Sequence, residues 1–267
     1  RSMPRFKKRR WRRFRARVLA VAEKDLGSRT VVKNETFATT TTNPSTGGNF
    51  LAQVALYPIA HVSATRLNDV KAIMAGDTNI LATGKIIFQS AVLDLTCVNR
   101  SVDENSTGMQ LEMDVYEITA AKNFETVTAA EKDLLQVFGQ GASDTGAIGT
   151  GTSLDLQTRG VTPWDLPQSL SQYRLKIWKK SKYQMSPGGT FTYQMRDPKR
   201  HVLDKTSVED YSGSNHPRLT RWLLFIAKPV PGFASGPNAT VDYDIGVTRK
   251  YLYKVNESNV DQDAFNL

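Results

Sequence analysis

The sequence predicts an all-β sandwich of eight strands, interrupted by two short helices and preceded by a basic arm. Three observations carry this. Apolar and polar residues alternate with a period of two in one segment after another, Gly/Pro/Ser/Thr-rich connections separate those segments, and ten positive charges with no negative one fill residues 1–17. The arm is expected to span residues 1–28 and the sandwich residues 29–267. A body of about 240 residues is long enough for one large core, so one folded domain is expected.

The elements follow in chain order. Strands are predicted at Thr30 to Thr40 and at Phe50 to Tyr57. A helix from Arg66 to Ala75 places Leu67, Val70 and Met74 on one face and stops at Gly76. The third strand, Leu81 to Val98, contains Cys97 in the run Val92-Leu-Asp-Leu-Thr-Cys-Val98. As the only cysteine it forms no intrachain disulfide and reads as a small core residue.

The fourth strand alternates most clearly. Met109, Leu111, Met113 and Val115 point one way and Gln110, Glu112 and Asp114 the other, so a one-residue slip would bury three polar groups. A second helix follows. Thr128-Ala-Ala-Glu131 fits a capping box, Leu134, Leu135 and Phe138 form an apolar stripe, and Gly139 sits where a helix ends.

Four more strands complete the set: Arg174 to Tyr183, Thr190 to Arg196 with Phe191, Tyr193 and Met195 on one face, Arg221 to Ala227, and a long C-terminal strand. In that last strand Val241, Tyr243, Ile245, Val247, Tyr251, Tyr253 and Val255 share the odd positions, broken only by Arg249. The turn-rich connections are Thr39 to Gly48, Gly139 to Gly151, Ser186-Pro-Gly-Gly189 and Pro229 to Pro237. Several long loops on one sandwich suggest that loops build its surface contacts.

No stretch approaches the ~18 apolar residues of a membrane span; the longest strongly apolar run is Leu223-Leu-Phe-Ile-Ala227. The charged start has no apolar h-region, so no secretory signal and intracellular synthesis are expected, with Met3 as the natural start. The Asn-x-Ser/Thr triplets at Asn34, Asn99, Asn105, Asn238 and Asn256 then read as chance matches.

Charge divides the chain sharply. The whole sequence has 35 Lys+Arg and 26 Asp+Glu, and subtracting the ten cations of the arm leaves 25 against 26 for residues 18–267. The net +9 belongs to the arm alone. Cations packed so closely repel one another and call for a concentrated polyanion, of which a nucleic-acid backbone is the commonest. Most of them are Arg, suited to bidentate phosphate contacts, and Trp11 and Phe14 lie among them, suited to stacking on unpaired bases. The candidate phosphate-binding residues are Arg5, Lys7, Lys8, Arg9, Arg10, Arg12, Arg13, Arg15 and Arg17. From Trp11 the apolar residues Trp11, Phe14, Val18, Val21/Ala22 and Leu26 recur near helical spacing, so a basic amphipathic helix is expected once the charges are neutralised. A nuclear address, a solubilising tail or an anionic membrane surface are the other readings of such a run.

A second basic cluster lies in Arg174-Leu-Lys-Ile-Trp-Lys-Lys-Ser-Lys-Tyr183. Alternation places Leu175 and Ile177 on a core face and Lys176, Trp178 and Lys180 together on the other. One reading is a basic, aromatic patch that stacks on and neutralises nucleic acid; the other is a strand edge that lysines protect from unwanted pairing. Lys199, Arg200 and His201 form a smaller cluster.

Catalytic patterns are lacking. His61, His201 and His216 lie far apart with no partner at metal or triad spacing, and Gly139-Gln-Gly141 and Gly146-Ala-Ile-Gly149 lack the Gly-Lys-Ser/Thr ending of a phosphate-binding loop. Asp242 and Asp244 fall on the polar side of a strand. No catalytic residue, metal site or cofactor is expected. Trp164, between the prolines of Val161-Thr-Pro-Trp-Asp-Leu-Pro167, reads either as a rigid interface anchor or as core packing.

An Arg-rich arm with interleaved aromatics, eight strands, and a helix after the second and the fourth together resemble the viral jelly-roll capsid proteins, whose two four-stranded Greek-key sheets carry helices at those places. The Met3-Pro4-Arg5 opening, rich in Arg, Lys and Trp, is similar in particular to capsid proteins of circovirus-like viruses, which have circular single-stranded DNA genomes and encode a replication initiator. The arm passes into Val18-Leu-Ala-Val-Ala22 sooner than many such arms, and RNA viruses with jelly-roll coats stay open.

The resemblance implies a non-enzymatic coat protein that self-assembles into an icosahedral homo-oligomer, the simplest (T=1) shell of about 60 copies, with arms on the packaged genome. It further implies a place in the virion, passage through the host nucleus during assembly, and a host receptor of unknown identity. An extended arm reaches at most roughly 55–60 Å, and up to ten neutralised phosphates give a salt slope near −7 at about −0.7 each. The alternative function is a cellular β-sandwich that binds nucleic acid through the same arm.

Overall fold

The structure is a computed structural model that describes residues 10, 11, 14, 27–42, 49–59, 68–76, 84–101, 110–124, 133–138, 156–209, 215–230 and 240–256. Among the described residues nine strands form two antiparallel sheets: β1 (Ser28–Thr42), β2 (Phe50–Leu56), β3 (Lys85–Asn99), β4 (Leu111–Ala120), β5 (Leu175–Met185), β6 (Thr190–Asp197), β7 (His201–Asp204), β8 (Arg221–Pro229) and β9 (Thr240–Asn256). The described connections include the short helices α1 (Asp69–Gly76), α2 (Pro167–Gln172) and α3 (Lys205–Glu209), a 3₁₀ turn at Pro163–Asp165 and helical residues 134–138.

One sheet runs β1-β9-β3-β6, with β7 also pairing β3, and the other runs β2-β8-β4-β5. Apart from the short β7 and the neighbours β4 and β5, which share a sheet, successive strands alternate between sheets, and the last strand returns to lie beside the first. This is the Greek-key connectivity of an eight-stranded jelly roll. All eight predicted strands are present. β7 is the addition, continuing the β6 side of the sheet along Lys85–Phe88. Its four residues are too few to show a period in the sequence. α2 and α3 are likewise too short to show one and were not expected.

The two sheets bury different amounts of surface. Between them, Val54, Leu93, Leu95, Met113, Val115, Phe225, Tyr243, Ile245 and Tyr251 form the main core. A second cluster lies on the far face of the β2-β8-β4-β5 sheet. There Tyr116, Ile118, Trp222, Leu224 and Ile226 are covered by Phe124, Leu134, Val137, Phe138, Leu156 and Leu166. β8 is therefore buried on both faces, which explains why Leu223-Leu-Phe-Ile-Ala227 shows no alternation. The outward residues of β6, by contrast, are Thr190, Thr192, Gln194 and Arg196, all exposed.

The expected helix at Arg66–Ala75 starts at Asp69; Val70 and Met74 are buried as expected, joined by Ile73 and Asp69. Cys97 is buried within the main core. The capping box at Thr128–Glu131, the loops at 43–48, 139–151 and 231–237, and His61 lie outside the described residues.

Arg249 does not break the inward row of β9. It is 3% exposed and points inward with its odd-numbered neighbours, because Asp69 and Glu35 reach it there. The end of β2 is fixed nearby. Tyr57 adopts a left-handed backbone (φ 58°), its amide donating to the Tyr251 hydroxyl at 3.3 Å and its carbonyl accepting from Thr220 Oγ1 at 2.9 Å.

Candidate nucleic-acid interface

Of the arm, Arg10, Trp11 and Phe14 are described. All three are helical and exposed, and the Trp11 and Phe14 rings stack with centroids 5.7 Å apart. Positions three apart on a helix are neighbours on one face, so the predicted spacing gives an aromatic pair beside a guanidinium. Leaving half of each ring in solvent, 53% for Trp11 and 56% for Phe14, is unusual for side chains this apolar. Arg5, Lys7, Lys8, Arg9, Arg12, Arg13, Arg15 and Arg17 lie outside the described residues.

The second basic cluster lies on β5, the edge strand of its sheet. The expectation that Lys176, Trp178 and Lys180 share a face is corrected by a bulge. Glu117 of β4 pairs with Lys179 and the next residue, Ile118, pairs with Ile177, leaving Trp178 as the extra residue. The insertion reverses the phase of the strand. Leu175 and Ile177 pack on the outer cluster before it, and Tyr183 and Met185 belong to the inner core after it.

The basic residues divide accordingly. Lys180 and Lys182 lie on the outer face, paired with Asp114 at 3.2 Å and Glu112 at 2.9 Å. Asp114 is fully buried and also binds Lys228 at 2.6 Å, so Lys180 is part of a structural ion network. Lys176, opposite Thr119, and Lys179, opposite Glu117, lie on the other side of the strand.

Trp178 belongs to the Lys176 side. Its indole N–H donates to Thr119 Oγ1 at 2.8 Å, and the Lys176 ammonium sits 3.6 Å from its ring centroid. Lys179 lies 4.9 Å from the centroid of Tyr193, whose hydroxyl bonds Glu117. Burial, followed by Glu117, pushes the Tyr193 phenol above its usual range. Among the described residues neither Lys176 nor Lys179 pairs with a carboxylate, and Trp178 is 57% exposed. Opposite side chains across a pair share a face, so register alone could have found this grouping, but only once the bulge was known.

Trp164 rests on Tyr116 edge-to-face, with centroids 5.4 Å apart, and stays 51% exposed. Its 3₁₀ turn is closed by Asp165 accepting from the Thr162 amide and hydroxyl at 2.8 and 2.7 Å. The Lys180 ammonium lies 5.9 Å from its ring centroid, so the ring is half-buried against Tyr116 and Lys180 and is not part of the core.

The smaller cluster resolves into an inter-sheet clamp. Asp197, 1% exposed at the end of β6, accepts from Arg221 of β8 at 3.1 Å and from the Lys199 amide at 3.1 Å, and bonds His201 at 2.8 Å. His216 bonds the Pro217 carbonyl at 3.2 Å. Among the described residues no group of three His, Cys, Asp or Glu is placed to hold a metal ion, and no helix is long and apolar enough to cross a membrane.

No protein-family model and no curated protein matches the chain. Solved structures that resemble it include a 60-mer of the BFDV capsid protein, 10% identical with a TM-score of 0.30 over 87% of this chain and 96% of that one. Mud crab tombus-like virus is 11% identical, with a TM-score of 0.32 over 91% and 87%. Desmodium yellow mottle tymovirus is 12% identical, with a TM-score of 0.29 over 85% and 84%. These likenesses are remote. The jelly-roll assignment rests on the strand order given above.

Proposed function

We propose that this chain is a viral coat protein that assembles into an icosahedral shell and packages its genome through the Arg-rich arm. The supporting observation is the pairing of a nearly neutral jelly-roll body with ten cations confined to residues 1–17, among which Arg10, Trp11 and Phe14 are presented to solvent on a helix. Charge separation of this kind lets the bodies approach one another without strong repulsion, while the arms gather on one polyanion that offsets their mutual repulsion.

The finer reading follows the resemblance of the arm: a circovirus-like single-stranded DNA genome, a T=1 shell, assembly in the host nucleus. Phosphate contacts fall to Arg5, Lys7, Lys8, Arg9, Arg10, Arg12, Arg13, Arg15 and Arg17, with Trp11 and Phe14 stacking on bases. No step of this role needs catalysis. Purified full-length protein examined by electron microscopy, with nuclease treatment before extraction, tests the reading. Closed shells holding nuclease-resistant nucleic acid are expected, and loss of residues 3–17 should empty them. A uniform monomer under all conditions would overturn it in favour of a cellular nucleic-acid-binding sandwich.

A further inference from the structure

We infer that the bulge of β5 makes a second nucleic-acid contact on the body, a stacking platform at Trp178 that accepts unpaired bases and so selects single strands over duplex. The inference rests on the packaging role proposed above and adds to it a property that the arm cannot supply. Ten cations read phosphates, which both duplex and single strands carry. Only an unpaired base offers a free π-face.

Several observations converge on Trp178. It is the inserted residue of the bulge, so the ladder between β4 and β5 does not dictate its position. Bulges recur where a strand must re-aim a side chain. The indole is nevertheless held in place by its N–H bond to Thr119 Oγ1 at 2.8 Å, while 57% of the residue stays in solvent. A ring fixed by its polar atom, with the Lys176 ammonium over one face and more than half of the residue in solvent, is pre-organised for stacking, since little side-chain freedom remains to be lost.

Cations stand beside it. Lys176 sits 3.6 Å from the ring centroid, and Lys179 lies on the same side of the strand above Tyr193. Neither is consumed by a carboxylate among the described residues. Lys180 and Lys182, on the opposite side, are held by Asp114 and Glu112. The strand thus separates lysines that hold the fold from lysines left to neutralise the phosphates flanking a stacked base. Protection of a sheet edge needs charge but no exposed tryptophan.

The test uses the full chain and two probes, an oligo(dT) strand and a blunt duplex of equal length, titrated at one fixed salt concentration. Trp178→Ala should weaken oligo(dT) binding about tenfold and leave duplex binding unchanged, and Trp178→Phe should recover part of the loss. Replacing Arg9, Arg10, Arg12 and Arg13 should weaken both probes together. Ultraviolet cross-linking of a 5-iododeoxyuridine strand to the unaltered protein should place the adduct on Trp178, which decides the matter even if Trp178→Ala fails to fold. Salt-dependent binding with an unchanged strand preference in Trp178→Ala, or an adduct on Trp11 alone, overturns the platform and leaves the arm standing. A chain that binds neither probe overturns both.

Discussion

Arg249 of β9 donates from Nε to Asp69 of α1 at 2.6 Å, and the pair is almost wholly buried. The Tyr251 hydroxyl donates to the same carboxylate oxygen at 2.8 Å, and Glu35 of β1 accepts from Arg249 Nη2 at 2.9 Å. The network pins α1 to the inner surface of the sheet. Burial makes it costly to break: removing one partner strands an uncompensated charge, whereas replacing both with apolar groups does not. Asp69→Ala should therefore destabilise the fold by about 3–5 kcal/mol in chemical denaturation. Asp69→Leu combined with Arg249→Met should restore part of it, since Glu35 and the Tyr251 hydroxyl still lose a partner.

The clamp between the sheets contributes a share of the stability that acid removes. Burial pushes the Asp197 carboxyl upward, but its bond to His201, the Lys199 amide and Arg221 outweigh it and leave the group below its ordinary 3.8. A depressed carboxyl contributes stability above its unfolded value and loses it as pH falls through the folded one, so this contribution should fade only below about pH 4. His216 acts in a higher window. Burial lowers it from 6.5, despite the Pro217 carbonyl. The unfolded chain then takes up this proton first, and stability should decline as pH drops below about 6.5. Melting curves across pH 3 to 8 should show both steps, and His216→Gln should remove the upper one.

The β5–β6 turn has no room for a side chain at Gly189. A Cβ there would lie 2.7 Å from the Ser186 carbonyl oxygen, and the Gly189 carbonyl already accepts from the Asn99 amide at 3.0 Å. Gly189→Ala should cost about 1–3 kcal/mol, read as a lowered melting temperature with unchanged strand content by circular dichroism.

Cys97 should be unreactive in the native protein. Burial, with a smaller push from Asp244, raises its thiol to about 12, and the side chain is fully enclosed. A thiol reagent at pH 8 should label it only on addition of denaturant. Rapid labelling of the native chain would mean that β3 opens locally.

The arm has its own quantitative signature. Each phosphate contact on a single strand contributes about −0.7 to the logarithmic salt slope. Exchanging Arg9, Arg10, Arg12 and Arg13 for Gln should make the slope shallower by about 3, measured by fluorescence anisotropy of a labelled oligonucleotide.

Strand positions were legible because half-buried strands write a period of two into the sequence, as β9 and β6 do. β8 was legible only by length and apolarity, since both its faces are covered. What the sequence hid were features decided by partners distant in the chain. Arg249 reads as an interruption until Asp69, 180 residues away, arrives to meet it. The grouping of Lys176, Trp178 and Lys180 failed because one inserted residue reverses the phase, and no local signal in Arg174 to Tyr183 marks the insertion. The near-helical spacing of Trp11 and Phe14 was visible from the start, but the stacking of one ring on the other was not.

The sandwich is lopsided, and its evolution should be too. One sheet is packed on both sides, so a change at Trp222, Leu224 or Ile226 disturbs two layers at once. The other sheet turns Thr190, Thr192, Gln194 and Arg196 toward open solvent, where a new side chain displaces only water. Sequence drift, and any engineered decoration, will accumulate on that bare wall first, while the upholstered one changes only in concert.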